Sequence, residues 1–340
     1  MSTTKNRFGC FGVFIGMILC LSLLFNAAFL FSFLFGEISA GALGGGEEPK
    51  FQEEIISKGA KNVSTKIAVI RLTGLISGYV SGSVGSSMVD DFKIQLKQAV
   101  ADKEVNAIVL AIDSPGGEVT ASDILYTAVK KAREVKPVVV SMGSLAASGG
   151  YYVAIAGSYI FAHETTFTGS IGVIMQTYNY EGLMDKVGVH TVTYKSGAFK
   201  DMMSGARAAT PAEKEYIDGM VQQTYSRFVG LVAKERKLPE DQLRNGIADG
   251  RVISGKDALT QKLVDGVGDF EDAVAKAIEL GKAQPGSAVI GYSSGSGLGR
   301  YLRMLGSTEV PKKVEINVGP AKAWSLQPGY FYLLPANMAE

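Results

Sequence analysis

The sequence has few of the residues on which most hydrolytic sites depend. Among its 340 residues are only two histidines, His163 and His190, and two cysteines, Cys10 and Cys20. A catalytic triad of serine, histidine and aspartate would therefore have to use one of these two histidines. Both cysteines lie in an apolar N-terminal stretch, so the rest of the chain has no disulfide, cysteine nucleophile or thiolate metal ligand.

The chain also lacks an excess of charge of either sign. Its 34 lysines and arginines nearly balance its 33 aspartates and glutamates, which leaves a formal net charge of +1. This balance gives no electrostatic reason to expect nucleic acid as a partner. The 41 glycines cluster in short motifs without a fixed period, which argues against a solenoid. No set of histidines or carboxylates has the spacing of metal ligands, so the sequence predicts no metal site.

A long uncharged apolar run, residues 9–36, is the most prominent feature of the N-terminal part. A helix needs about 20 apolar residues to cross the hydrocarbon core of a bilayer, and this run is longer. Lys5 and Arg7 precede the run, and Glu37 follows it. The positive-inside rule therefore places residues 1–8 in the cytoplasm and the chain beyond the run on the other side of the membrane.

A cleaved signal peptide is the alternative interpretation of this run, with small residues at 40–42 as the cleavage site. The apolar core would then be much longer than the roughly 7–15 residues that are usual, which favours an uncleaved anchor. Downstream, we assign residues 37–64 to a polar linker, residues 65–282 to a folded domain and residues 283–340 to a glycine- and serine-rich appendage.

The folded domain alternates between strand and helix patterns. Continuous apolar runs predict strands buried on both faces, and apolar residues at helical spacing predict the helices between them. The predicted strands are residues 66–72, 106–112, 137–141, 158–162, 171–175 and 190–194. The predicted helices are residues 86–100, 121–132, a helix from 148, 182–187 and 211–236, the last with Thr210 as N-cap and Pro211 at its first position. This order indicates an α/β fold with a largely parallel sheet.

Two loops that follow buried strands carry the small residues of a candidate active site. The glycines of residues 113–117 would let backbone N–H groups approach an anion, although Pro-Gly is also ordinary turn chemistry. Ser148 lies in the second loop, between a strand and a helix, where the helix N-terminus favours developing negative charge. The alternative is that Ser148 is only an N-cap, a common position for serine.

Lys200 lies near a glycine turn and is the candidate general base in a chain so poor in histidine. A lysine must be neutral to accept a proton, and its ordinary pKa is about 10.4. The pKa of a useful general base lies roughly three units lower, which corresponds to about 4 kcal/mol. Burial can supply this free-energy difference, because it disfavours the charged amine. Lys200 could instead be a solvated surface lysine, and the nearby Lys195 is the other lysine that could be the base. We interpret Asp113 and Asp201 as residues that fix their loops.

Together these segments resemble the signal peptide peptidase A family of membrane-bound Ser-Lys proteases, peptidase family S49, in its short single-unit form. The resemblance covers residues 65–280 and implies a fold like that of Clp protease subunits and crotonase, built from ββα repeats. It implies a serine endopeptidase without metal or organic cofactor, at the bacterial inner membrane with its catalytic domain on the periplasmic side. The matching segments are residues 113–117, 146–152, 168–173, 195–201, 250–255 and 263–268.

By position in this family, Ser148 would be the nucleophile and Lys200 the general base. Ser170 would hydrogen-bond the lysine amine and orient it, whereas the residues alone indicate only a turn there. The backbone N–H groups of Gly149 and Gly116, or alternatively Gly117, would form the oxyanion hole. Each such donor is typically worth about 10²–10³ in rate.

The resemblance also implies partners. The chain would form a ring-shaped homo-oligomer in which Ser148 and Lys200 can come from different subunits. Its substrates would be cleaved signal peptides or other unfolded apolar peptides, and residues 9–36 would contact membrane lipid. One alternative is a crotonase-like acyl-CoA enzyme, which would not explain the anchor or the serine–lysine pair. Another is a non-catalytic membrane scaffold, against which the intact serine and lysine motifs argue.

Overall fold

The computed structural model describes residues 22–26, 51–78 and 87–293. Residues 22–26 are helical and exposed, and they are the only described part of the predicted anchor at residues 9–36. The remainder of that anchor lies outside the described residues. Across these three ranges, no helix has both the length and the apolar character needed to cross a membrane.

The strands of the folded unit are numbered here in chain order. In the described residues they are β1 (Gln52–Ser57), β2 (Lys66–Thr73), β3 (Val105–Ser114), β4 (Val138–Ala147), β5 (Tyr159–Ala162), β6 (Phe167–Gly169), β7 (Val252–Ser254), β8 (Gly266–Val267) and β9 (Ala288–Ser293).

The helices of the same unit are numbered in the same way. They are α1 (Met88–Ala101), α2 (Val119–Arg133), α3 (Gly149–Ala154), α4 (Glu181–Lys186), α5 (Pro211–Arg236), α6 (Glu240–Arg244), α7 (Gly255–Thr260) and α8 (Phe270–Leu280).

The strands form one mixed, mostly parallel sheet. Its order is β1-β9-β2-β3-β4-β5-β8, and β6 and β7 continue from the end of β4. Neighbours from β9 to β8 are parallel, whereas β1 on β9 and β7 on β6 are antiparallel. The predicted α/β fold with a largely parallel sheet is therefore confirmed. Because β1 and β9 are strands of this sheet, the folded unit extends past both ends of the predicted domain, residues 65–282.

Both faces of the sheet are covered by apolar packing. On β2, Ile70 and Leu72 belong to the larger core, which α1, α2, α3 and α5 complete on one face. Ile67 and Val69 point to the other face and pack with residues of α8. Successive side chains of a strand alternate between faces, so burial on both faces requires the continuous apolar runs seen in the sequence. Burying one such side chain contributes about 1.5–3 kcal/mol.

Two predicted strands, residues 171–175 and 190–194, are wrong. Both lie between β6 and α5, and no strand of the described sheet pairs with either of them. Strand conformation needs a partner for its backbone N–H and C=O groups, which the alternation of apolar side chains alone does not supply. Much of each stretch is exposed instead: Ile174 is 73% and Val192 is 74% exposed, whereas Ile171, next to β6, is buried.

The long helix α5 begins as predicted. The hydroxyl of Thr210 accepts a hydrogen bond from Glu213 N–H at 3.2 Å, and the Glu213 carboxylate accepts one from Thr210 N–H at 2.8 Å. This reciprocal capping box, with Pro211 at the first helical position, fixes the start of the helix. The buried residues Phe228 and Val229 then anchor its second half to the larger core.

Candidate active site

Ser148 lies one residue beyond β4, at the sharp turn into α3. Its backbone has φ +52° and ψ −119°, and such conformations cost on the order of 1–3 kcal/mol in residues with a side chain. Ser148 occupies the N-cap position, but its hydroxyl makes no capping hydrogen bond, so capping does not account for the serine. A strained serine between a strand and a helix presents its hydroxyl outward, as in a nucleophile elbow.

The loop of residues 113–117 lies directly against this turn. A Cβ atom on Gly116 would collide with Gly149 N and crowd the Cβ atom of Ser148. Gly116 also has φ +97°, in the region that favours glycine. A Cβ atom on Gly149 would in turn crowd Gly117 N. The structure thus brings Ser148 together with all three glycines that we considered for the oxyanion hole.

The backbone donors left free beside Ser148 belong to Gly117 and Gly149. Gly116 N–H donates to Ser114 Oγ at 3.1 Å, and Ser114 Oγ donates to the Gly74 carbonyl at 2.6 Å. Among the residues that the structure describes, neither Gly117 N–H nor Gly149 N–H has an acceptor. Because Gly116 N–H is engaged, the geometry favours Gly117 over Gly116 as the second donor.

Ser170 lies beside Ser148, at the end of the neighbouring parallel strand. Ala147 of β4 pairs with Gly169 of β6, so both serines follow directly after a paired residue. A hydrogen bond of 2.9 Å from Ser148 N–H to the Gly169 carbonyl ties the two turns together. Ser170 also has a positive φ of 51°, and no described residue accepts a hydrogen bond from its hydroxyl or donates one to it.

Lys200 lies in an exposed turn, where its N–H donates to the Gly197 carbonyl at 3.1 Å. Within the described ranges its amine forms no hydrogen bond or ion pair, either with Ser148 or Ser170 or with any other residue. The whole stretch 185–200 is exposed. A single chain therefore assembles the two serines and the glycines, but no hydrogen bond or ion pair among its described residues links them to the Lys200 amine.

The neighbouring Lys195 is engaged elsewhere. Its amine donates to the Ala198 carbonyl at 3.0 Å and forms an ion pair with Asp201 Oδ1 at 2.7 Å. Hydrogen bonds from Arg207 and Lys195 hold the pKa of the Asp201 carboxyl well below its ordinary value. Asp201 thus fixes its loop. Of the two lysines, Lys200 is the one whose amine has no hydrogen-bond or ion-pair partner among the described residues.

Asp113 fixes the first loop in a similar way. Its Oδ1 accepts a hydrogen bond from Leu145 N–H at 3.0 Å, which links the 113–117 loop to β4. The two histidines have no comparable role near Ser148. His163 Nδ1 makes a local hydrogen bond of 2.9 Å with Thr165 Oγ1, and His190 is exposed.

A pocket that the sequence does not reveal opens beside Ser148. Its apolar lining includes Tyr152, Val173 and Phe228, and Arg227 also lines it. The Tyr152 hydroxyl and Arg227 Nη2 both donate to Asp123 Oδ1 at 2.7 Å, which fixes both side chains. Thr224, Arg227 and Phe228 are spaced three and four residues apart on α5, so they share a helix face. That spacing predicts a common face, but not that the face lies beside Ser148.

Two family models match this chain. The model of peptidase family S49 matches residues 130–284, and the model of Clp protease matches residues 71–167. The second match agrees with the mostly parallel mixed sheet and confirms a fold like that of Clp protease. Among solved structures, a mutant of ClpP1 from Listeria monocytogenes is 17% identical, with a TM-score of 0.42, over 61% of this chain and 94% of that chain.

Curated relatives are similar over most of the folded unit. “Putative signal peptide peptidase SppA” of Enterococcus faecium is 37% identical over 246 residues, which are 71% of this chain and 70% of that protein. “Protease 4” of Salmonella typhi is 41% identical over 64% of this chain and 35% of that protein. “Serine protease SPPA, chloroplastic” of Arabidopsis thaliana is 37% identical over 62% of this chain and 32% of that protein.

Proposed function

The chain belongs to peptidase family S49 and is a serine protease, and from that premise we propose that Ser148 is its nucleophile and Lys200 its general base. One observation carries the proposal: Ser148 sits at a strained turn beside Gly117 and Gly149, and no described residue hydrogen-bonds to its hydroxyl or to the N–H groups of these two glycines. The family membership decides against a crotonase-like acyl-CoA enzyme and against a non-catalytic scaffold.

In the proposed reaction, Ser148 Oγ attacks a peptide carbonyl carbon while the Lys200 amine takes the hydroxyl proton. The carbonyl oxygen becomes negative and accepts hydrogen bonds from Gly117 N–H and Gly149 N–H. Lys200 then gives the proton to the departing amine, which leaves an acyl-enzyme. Water attacks this ester as Lys200 removes its proton, and the proton returns to Ser148 Oγ. Ser170 orients the lysine amine through a hydrogen bond.

We propose that a second copy of the chain completes the site in a ring-shaped homo-oligomer. One support is that the Lys200 amine forms no hydrogen bond with the described serines of its own chain. The other is that the stretch around it presents apolar side chains to solvent. A neighbouring subunit would remove these side chains and the lysine amine from water, and burial disfavours a charged amine. The exposed apolar residues include Ile174, Tyr178, Leu183, Val187, Val192 and Tyr194.

For the substrate we propose unfolded apolar peptides, with cleaved signal peptides as the physiological case. The apolar lining of the pocket beside Ser148 supports an apolar substrate side chain. Residues 9–36 would anchor the protein in the bacterial inner membrane, with the catalytic unit on the periplasmic side, where such peptides are released. The uncharged length of that run and the cations before it support this location.

The test of this function is peptide cleavage by the full chain in detergent or lipid. We expect wild-type protein to cleave a quenched-fluorescent apolar peptide, and Ser148→Ala and Lys200→Ala to lose that activity while keeping the same circular dichroism spectrum. Undiminished cleavage by either variant would show that the serine–lysine dyad is wrong.

A further inference from the structure

The residues on both sides of Lys200 are attached to the first turns of α5. On the N-terminal side, the ring of Phe199 lies against the ring of Tyr216, with centroids 5.5 Å apart. On the C-terminal side, Asp201 binds Arg207, which in turn binds Glu213. Tyr216 and Glu213 both belong to α5.

Arg207 connects the lysine turn to this helix through its whole guanidinium group. Nε and Nη2 donate to the two carboxylate oxygens of Asp201, at 2.9 and 2.7 Å. Nη1 and Nη2 donate to the two carboxylate oxygens of Glu213, at 2.9 and 2.5 Å. The remaining Nη1 proton is directed to the Ala208 carbonyl at 3.0 Å. Only a planar, five-donor side chain can hold two carboxylates in this way, so lysine is not equivalent here.

The helix end of this connection is itself fixed. Glu213 is almost fully buried, with 2% exposure, and its carboxylate also accepts the Thr210 N–H of the capping box. Arg207 and Thr210 together lower the pKa of the Glu213 carboxyl to about 2. The pKa of the Asp201 carboxyl is lowered as well, by Arg207 and Lys195. Both carboxylates therefore stay ionised throughout the neutral and alkaline range.

We infer that Arg207 is a positioning residue for catalysis, which sets the place of the Lys200 backbone by joining Asp201 to Glu213. The inference rests on the proposed role of Lys200 as general base. The lysine turn lies between β6 and α5, a described stretch in which α4 is the one regular element. There, the Arg207 connection and the Phe199–Tyr216 contact hold the turn on both sides. The Lys200 side chain between them is left free to reach a serine.

The experiment compares Arg207→Gln and Arg207→Lys with wild type in the full chain, using a quenched-fluorescent apolar peptide. We expect kcat to fall about 10–100-fold in Arg207→Gln, as for the loss of hydrogen bonds to charged groups, and to recover little in Arg207→Lys. We expect KM to stay within about twofold, because none of these residues lines the pocket beside Ser148. The rate at which a fluorophosphonate labels Ser148 should fall together with kcat.

Arg244→Gln is the matched control. Arg244 also pairs with a carboxylate, Glu240, and its side chain is 30% exposed, against 28% for Arg207. It lies on α6, and we expect unchanged kcat. Should Arg207→Gln unfold at the assay temperature, Asp201→Asn weakens the same connection from the other side, because it removes the charge and one of the two acceptor oxygens and keeps the shape of the side chain.

The outcomes separate this inference from the proposed function. If Arg207→Gln and Asp201→Asn keep wild-type kcat while Lys200→Ala is inactive, the positioning role of Arg207 is wrong and the proposed function stands. An active Lys200→Ala would overturn the proposed function. A loss of activity that follows the unfolded fraction, or a smaller oligomer by light scattering, would also overturn positioning, because the effect would then come from stability or assembly.

Discussion

The two halves of the candidate site are held in different ways. Ser148 and Ser170 follow neighbouring parallel strands, and a backbone hydrogen bond joins their turns. Lys200 lies in an exposed stretch, where Tyr216 and Arg207 hold its neighbours and no described hydrogen bond or ion pair links its amine to the serines. Sheet pairing alone thus places the proposed nucleophile beside Ser170 within one chain. The position of the proposed base, which lies on a loop, depends on contacts between side chains and, as we propose, on a second subunit.

The largest expected effect comes from removing the reacting group of either half. Ser148→Ala and Lys200→Ala should each lower kcat by about 10⁴–10⁶, because a nucleophile and its base act as a unit. Steady-state peptide cleavage measures this loss, and thermal unfolding should show that both variants remain folded. If either variant kept even a tenth of wild-type kcat, the residue substituted in it would not be a catalytic residue.

A smaller effect is expected for Ser170, which we propose as the hydrogen-bond partner of the lysine amine. Ser170→Ala should lower kcat by about 10–150-fold with little change in KM, because a hydrogen bond to a charged group is worth about 1.5–3 kcal/mol. Ser226→Ala, at an exposed position of α5, is the control. If both variants matched wild type, Ser170 would be a turn residue only.

The serine half should also depend on its backbone support. Ser114→Ala would leave the Gly116 N–H without its acceptor at a buried position, so the free energy of unfolding should fall by about 1–3 kcal/mol. Chemical denaturation measures the change. An unchanged unfolding midpoint would mean that the 113–117 loop does not need this hydrogen bond.

In the lysine half, the smallest effect is a pH dependence of stability. The pKa of the Glu213 carboxyl is lowered to about 2 in the folded chain, from an ordinary 4.5. A lowered carboxyl pKa stabilises the fold fully above the unfolded value, and this contribution disappears as pH falls to the folded value. The difference in thermal stability between wild type and Glu213→Gln should therefore be constant above about pH 5.5 and shrink towards pH 2. A difference that grew towards low pH would contradict the assigned contacts.

The sequence predicts the serine half better than the lysine half, for a physical reason. Ser148 and Gly149 directly follow a buried strand, and the carboxyl ends of parallel strands meet at one edge, so motif and pattern suffice. The stretch that holds Lys200 looks like a strand at residues 190–194, but no strand in the described part of the chain pairs with it. Its real attachment, from Asp201 through Arg207 to Glu213, is made by side chains that follow no periodic pattern.

The most direct test of the central claim is to mix the two inactive variants. If Ser148 and Lys200 act as a dyad across a subunit contact, co-assembled Ser148→Ala and Lys200→Ala chains should regain activity at about a quarter of the sites, as random mixing at heterologous contacts gives. Copurification of two different tags would confirm that the chains mixed. Mixed oligomers that stay inactive would contradict a shared site.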